Sequence, residues 1–102
     1  MADLLSLSME RVLVTGGAGF IGGAVVRRLL AESRVTVFNL DKLGYASDLT
    51  SIERTLQALG PGAAERHQLL QVDLSNAEAT AAAVQQADPD LVLHLAAESH
   101  VD

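Results

Sequence analysis

RVLVTGGAGFIGG, residues 11–23, reads as a short strand, a glycine turn and the opening of a helix. Val12, Leu13 and Val14 carry the signal of a buried strand, and Gly16, Gly19 and Gly22 then recur at every third position. From Phe20 and Ile21 the apolar residues switch to helical spacing, through Val25, Val26, Leu29 and Leu30. A strand, a glycine turn and an amphipathic helix in that order predict the first βαβ unit of a dinucleotide site. Each glycine has its own predicted task. Gly16 permits the tight turn off the strand, Gly19 lets a diphosphate approach the backbone, and Gly22 lets the helix pack closely. The free N–H groups at the helix start supply donors and partial positive charge to an anion.

Downstream, the spacing predicts a helix over Phe20–Ala31 with Ile21, Val25 and Leu29 facing inward and Val26 and Leu30 widening the stripe. Val35–Leu40 is a β-branched and aromatic strand that runs into Asp41. The interval from Gly22 to Asp41 is close to the roughly twenty residues that place an acid on the adenosine ribose. An aspartate there accepts from the 2′- and 3′-hydroxyls and repels a 2′-phosphate, so the expected cofactor is NAD rather than NADP. The plainer reading is that Asp41 opens a turn, and Lys42 beside it softens the repulsion.

Ser47–Leu59 is predicted helical, with Gly60-Pro61-Gly62 as its stop. Gln68–Leu74 is predicted as the third strand; Asp73 at its end is a candidate acceptor for the adenine amino group or a solvated loop acid. Ser75-Asn76-Ala77-Glu78 has the pattern of a capping box for a helix over Asn76–Gln86, which Asp88-Pro89 ends. Asp90–Ala96 is an unbroken apolar run, as expected of a parallel strand buried on both faces. His94 inside that run reads as a packed core histidine.

The elements alternate β-α-β-α-β-α-β. Right-handed crossovers then predict an α/β fold: a Rossmann-type, three-layer parallel sheet in the order 3-2-1-4, truncated after the fourth strand. Residues 1–9 read as an N-terminal extension and 10–102 as the N-terminal part of a nucleotide-binding domain. A sheet that stops at its switch point leaves the fourth strand as an open apolar edge, suited to a homodimer or to the rest of a longer chain.

Composition narrows the classes. The chain of 102 residues is 49% hydrophobic, enough for one folded core. With no cysteine it has neither disulfides nor thiolate metal ligands, as expected of a cytoplasmic protein. A formal net charge of −6 without a Lys/Arg cluster argues against nucleic acid as a partner. No apolar run is long enough for a membrane span. The histidines at 67, 94 and 100 are too widely spaced to suggest a metal site.

Four stretches together, LVTGGAGFIGG, FNLDKLGYASDL, VDL and PDLVLHLAAESHVD, resemble the N-terminal part of the dTDP-glucose 4,6-dehydratase family of extended short-chain dehydrogenases/reductases. The resemblance runs from Arg11 to Asp102 and covers about the first third of a family member. It implies that Gly16, Gly19, Phe20 and Ile21 cradle the NAD pyrophosphate. It implies that Asp41, Lys42 and Leu43 line the adenosine and that Asp73 and Leu74 flank the adenine. Leu95, Ala96 and Ala97 would run toward the nicotinamide, and Ser99, His100 and Val101 toward a nucleotide sugar. The chain departs from the family at Gly44, usually Thr, and at Ser47-Asp48, usually Gly-Asn.

In that family NAD takes a hydride from C4 of the hexose, water is eliminated across C5 and C6, and the hydride returns to C6. The Tyr-Lys pair that assists is absent here, because Leu49 stands four residues after Tyr45. Glu98 and Asp102 are not assigned catalysis. The resemblance therefore implies a lyase part without turnover of its own. A nucleotide-sugar epimerase fragment and a non-catalytic dimeric nucleotide-binding module remain as alternatives.

Overall fold

The computed structural model describes residues 9–43 and 49–96. Strand β1 is Arg11–Thr15, helix α1 Phe20–Glu32 and strand β2 Thr36–Asp41. Helices α2, Thr50–Leu59, and α3, Pro61–Glu65, lead into strand β3, His67–Gln71. Helix α4, Ala77–Ala87, precedes strand β4, Leu91–His94. All strands are parallel, in the order β3-β2-β1-β4, with Val12 paired to Val37 on one side and to Leu91 on the other. This is the expected Rossmann-type order. The first two crossovers move to one side of β1 and the last returns to the other, with helices on opposite faces.

Strand alternation divides the core between two faces. Val12, Val14 and Val37 pack with Val26, Leu29 and Leu30 of α1 and Ile52 of α2. Leu13, Phe38 and Leu40 pack with Ala83 and Ala87 of α4 on the opposite face. The small side chains of α4 let it lie close over β1 and β2, which completes the three layers.

Several local expectations are corrected. The inward stripe of α1 is Gly22, Gly23, Val26, Leu29 and Leu30, whereas Ile21 is 66% exposed and Phe20 is 96% exposed. Two residues without Cβ let the helix roll toward the glycine turn, which carries Ile21 outward. Gly60, at φ +98°, ends α2, but Pro61 then opens α3 instead of a loop, since proline suits the first turn of a helix. The cap of α4 is Asn76, whose Oδ1 accepts the Ala79 N–H at 3.0 Å, and not Ser75. The Ser75 hydroxyl donates instead to Asp73 Oδ1 at 2.9 Å. β4 holds the expected edge position, but it is not buried on both faces: Val92 is 49% exposed because α4 covers β1 and β2 rather than the edge.

Two arginines fasten the end of the sheet remote from the glycine turn. Arg66 donates to the carbonyls of Leu30, Ser33 and Val35 at 2.9, 3.2 and 3.0 Å, closing the turn between α1 and β2. Arg11 donates to the Ala87 and Gln86 carbonyls at the end of α4 and lies over the Phe38 ring. Asp90 completes this end: its Oδ2 accepts the N–H groups of Glu10 and Arg11 at 2.8 and 2.9 Å. Those donors hold the Asp90 carboxyl below its ordinary 3.8. Burial, by contrast, pushes the His67 imidazole below its ordinary 6.5.

These shifts set the response to acid. As pH falls through 6.5 the unfolded chain takes up the His67 proton first, so stability declines from there. The Asp90 contribution persists lower, and is lost only as pH falls below 3.8 through its depressed folded value. Urea midpoints measured against pH are expected to fall in these two stages. His67→Phe is expected to remove its part of the first stage and Asp90→Asn its part of the second. Unchanged profiles in both variants would contradict the assignments.

Candidate functional site

The carboxyl ends of β1, β2 and β4 meet the N-terminus of α1 around residues 16–19. Gly16 has φ +72°, a conformation natural to glycine. Its N–H donates to the Leu40 carbonyl at 2.8 Å, and its carbonyl accepts from Gly19 at 3.1 Å. A Cβ on Gly16 would stand 2.7 Å from the Ala96 Cα, so this turn and the end of β4 touch backbone to backbone. A Cβ on Gly22 would collide with the Gly16 carbonyl oxygen. The expected close packing at Gly22 is therefore against the turn itself.

The helix start is left open. Gly19 is the N-cap of α1, no side chain caps it, and the first turn holds no acidic residue. Its N–H groups are an arrangement suited to an anion. Gly19 keeps that approach clear, and Phe20 and Ile21 flank it with exposed apolar surface.

Asp41 is buried at the end of β2. Its Oδ2 accepts the Ala18 N–H at 3.0 Å and its Oδ1 the Leu43 N–H at 2.7 Å. The carboxylate thus braces the glycine turn, a role that spacing did not reveal. Leu43, whose N–H meets the acid, adopts a left-handed φ of 61°. Lys42 and Asp73 lie near enough for the ammonium to favour the ionised acid. The N–H and hydroxyl of Ser75, both on Asp73 Oδ1, are the main reasons that this carboxyl is held below 3.8. Leu74 follows on the surface.

At the end of β1, the Thr15 hydroxyl accepts the N–H groups of Leu95 and Ala96 at 3.0 and 3.2 Å. Its own proton is then directed to His94 Nδ1, 2.7 Å away, which leaves the neutral ring protonated at Nε2. His94 is exposed on the edge strand, not packed in the core as its apolar neighbours suggested. Leu95 and Ala96 are thereby held beside Gly16.

The structure thus gathers Gly16, Gly19, Phe20, Ile21, Gly22, Asp41, Lys42, Leu43, Leu95 and Ala96 at one end of the sheet, with Asp73 and Leu74 beside them. Ala97, Ser99, His100, Val101 and residues 44–48 lie outside the described residues, as do residues 1–8 of the expected extension. Among the described residues no cluster of His, Asp or Glu could hold a metal ion, and no helix is long and apolar enough to cross a membrane.

A parallel sheet in this order, with a glycine turn and an uncapped helix start at its crest, defines a Rossmann-type α/β protein. Within that class the chain belongs to the GDP-mannose 4,6 dehydratase family, whose sequence model matches residues 13–102. It is 48% identical over 94 residues to the dTDP-glucose 4,6-dehydratase of Neisseria meningitidis serogroup B, covering 92% of this chain and 25% of that protein. The crystal structure of the Bacillus anthracis dTDP-glucose 4,6-dehydratase in complex with NAD superposes with a TM-score of 0.72 at 26% identity, over 88% of this chain and 27% of the other. A UDP-glucose-4-epimerase from Stenotrophomonas maltophila with bound NAD superposes with a TM-score of 0.70 at 34% identity, over 90% and 26%. The chain thus spans about a quarter of the length of the curated relatives it matches.

Proposed function

We propose that the chain is the NAD-binding N-terminal part of a nucleotide-sugar 4,6-dehydratase of the dTDP-glucose type, working in the cytoplasm. The observation that carries this reading is the glycine turn itself. It faces an uncapped helix start and is braced from below by a buried aspartate at the end of β2. Gly16, Gly19, Phe20, Ile21 and Gly22 would hold the diphosphate. Asp41, Lys42 and Leu43 would take the ribose, Asp73 and Leu74 the adenine, and Leu95 and Ala96 the path toward the nicotinamide.

The residues fit such a group. Gly19 presents no side chain at the mouth of the turn, and the donors of α1 are unshared by any cap. NAD would supply reversible hydride storage, while this part of the chain binds and orients it. The sequence contains no YxxxK pair, so the chain on its own is expected to bind the cofactor without turnover. A second reading, a nucleotide-sugar epimerase, draws on the 34% identity to the Stenotrophomonas enzyme, against 48% to the Neisseria dehydratase.

Calorimetric titration of NAD, ADP-ribose and NADP into the chain tests the proposal. NAD and ADP-ribose are expected to bind alike, with NADP about tenfold weaker, a difference of about 1.4 kcal/mol. No binding of any of the three would remove the cofactor reading.

A further inference from the structure

Asn39 occupies the middle of β2, between Phe38 and Leu40, and is wholly buried. Such a strand position ordinarily takes an aliphatic side chain. Its Nδ2 lies 3.3 Å from His67 Nε2. Its Oδ1 has no hydrogen-bond partner among the described residues, an unfavourable condition for a buried amide. That oxygen faces the glycine turn: the three atoms nearest to a Cβ built on Gly17 are Oδ1, Cγ and Nδ2 of Asn39. Asn39 and Asp41, two apart on a strand, share one face of the sheet. Asn39 lies under Gly17 and Asp41 holds the N–H of Ala18, so consecutive turn residues rest on consecutive polar residues of that face.

We propose that Asn39 is a positioning residue for the glycine turn, acting through Gly17, with His67 setting which end of its amide meets the turn. This inference rests on the proposed NAD-binding reading and adds a determinant of where the diphosphate donors of α1 stand. With its proton on Nδ1, neutral His67 accepts from Asn39 Nδ2 at Nε2 and thereby commits Oδ1 to the Gly17 side. The amide is the floor of the turn, and its contact with Gly17 sets the height of Gly19 and of the α1 N-terminus above the sheet.

The test is a double-mutant cycle on the chain with Gly17→Ala, Asn39→Ala and their combination, together with Asn39→Leu. The readouts are NAD affinity and, without ligand, hydrogen exchange of the Ala18 and Gly19 amides. Asn39→Leu and Asn39→Ala are expected to weaken NAD binding about tenfold, a loss passed on through the contact with Gly17. They are also expected to speed exchange at Ala18 and Gly19 beyond any global change in stability. Gly17→Ala is expected to bind more weakly still, and Asn39→Ala to restore that variant to the level of Asn39→Ala alone. Additive losses, or wild-type affinity and turn exchange in Asn39→Leu, would overturn the proposal. If the unaltered chain binds no NAD, the cofactor reading fails, and turn-selective exchange still decides the role of Asn39. Asn39→Ser replaces Asn39→Leu if the latter does not fold.

Discussion

Gly22→Ala is expected to abolish NAD binding and to cost about 3 kcal/mol of stability, the upper end for overpacking. The added Cβ would collide with the Gly16 carbonyl oxygen and stand 2.7 Å from the Gly16 carbonyl carbon and 3.0 Å from the Gly17 Cα. All three are backbone atoms, so no rotamer change relieves the clash. Either α1 lifts from the turn, or Gly16 leaves the conformation that places its N–H on the Leu40 carbonyl. Both movements displace the donors at the start of α1. Gly23→Ala is the control. A Cβ there meets Arg27 Nη1 and the Gly17 carbonyl oxygen at 3.5 Å, ordinary contact. Helix propensity then favours alanine by up to about 1 kcal/mol. Urea unfolding of the two variants should move in opposite directions; equal behaviour would contradict the packing described for α1.

Asp41→Ala is expected to destabilise the chain by about 3 kcal/mol and to remove discrimination between NAD and NADP. The substitution strips acceptors from the N–H groups of Ala18 and Leu43, the first of them buried. A buried donor left without a partner costs about 1–3 kcal/mol, and bonds to a charged group lie toward the upper end. Asp41→Asn separates the two effects. Its amide offers one oxygen where the carboxylate offers two, so one of the two N–H groups faces an NH2, and a smaller loss of about 1–2 kcal/mol follows. Its neutral charge no longer repels a 2′-phosphate, so the NADP-to-NAD affinity ratio should rise while the fold persists. An unchanged ratio would place cofactor selection elsewhere, with Lys42 the nearest charged alternative.

Much of the architecture is legible in the residues. Val12–Val14, Val37–Leu40 and Leu91–Leu93 are apolar enough to be strands anywhere, and glycine spacing marks the turn between β1 and α1. Boundaries drifted where two signals competed. Ser75 and Asn76 are both good caps, and the choice fell to Asn76 because Asp73 engages the serine hydroxyl. Pro61 reads equally as a stop and as a start, and only the packing of Ala63 decides for a helix.

The candidate site was legible as a set of positions and much less as a set of contacts. Gly16, Gly22 and Asp41 stand out by spacing, but Asn39 carries no such signal. Within β2 it reads as a break in an apolar run, and its meaning depends on Gly17 standing above it. His94 shows the converse. An apolar run implied a core histidine, whereas its exposure follows from β4 being the sheet edge and its tautomer from Thr15 on another strand.

The sequence by itself determined the alternation of strands and helices, the turn at Gly16 and, through the glycine pattern that marks the first strand of a doubly wound sheet, the expected strand order. Those depend on backbone preferences and periodicities that act within a few residues. Only the tertiary structure decided that Asp41 braces Ala18, that Asn39 floors Gly17, that Gly22 fits under the Gly16 carbonyl, and that Phe20 and Ile21 face outward. Those depend on gaps of a single atom between segments set side by side by packing, and hydrophobic pattern does not encode distances of that size.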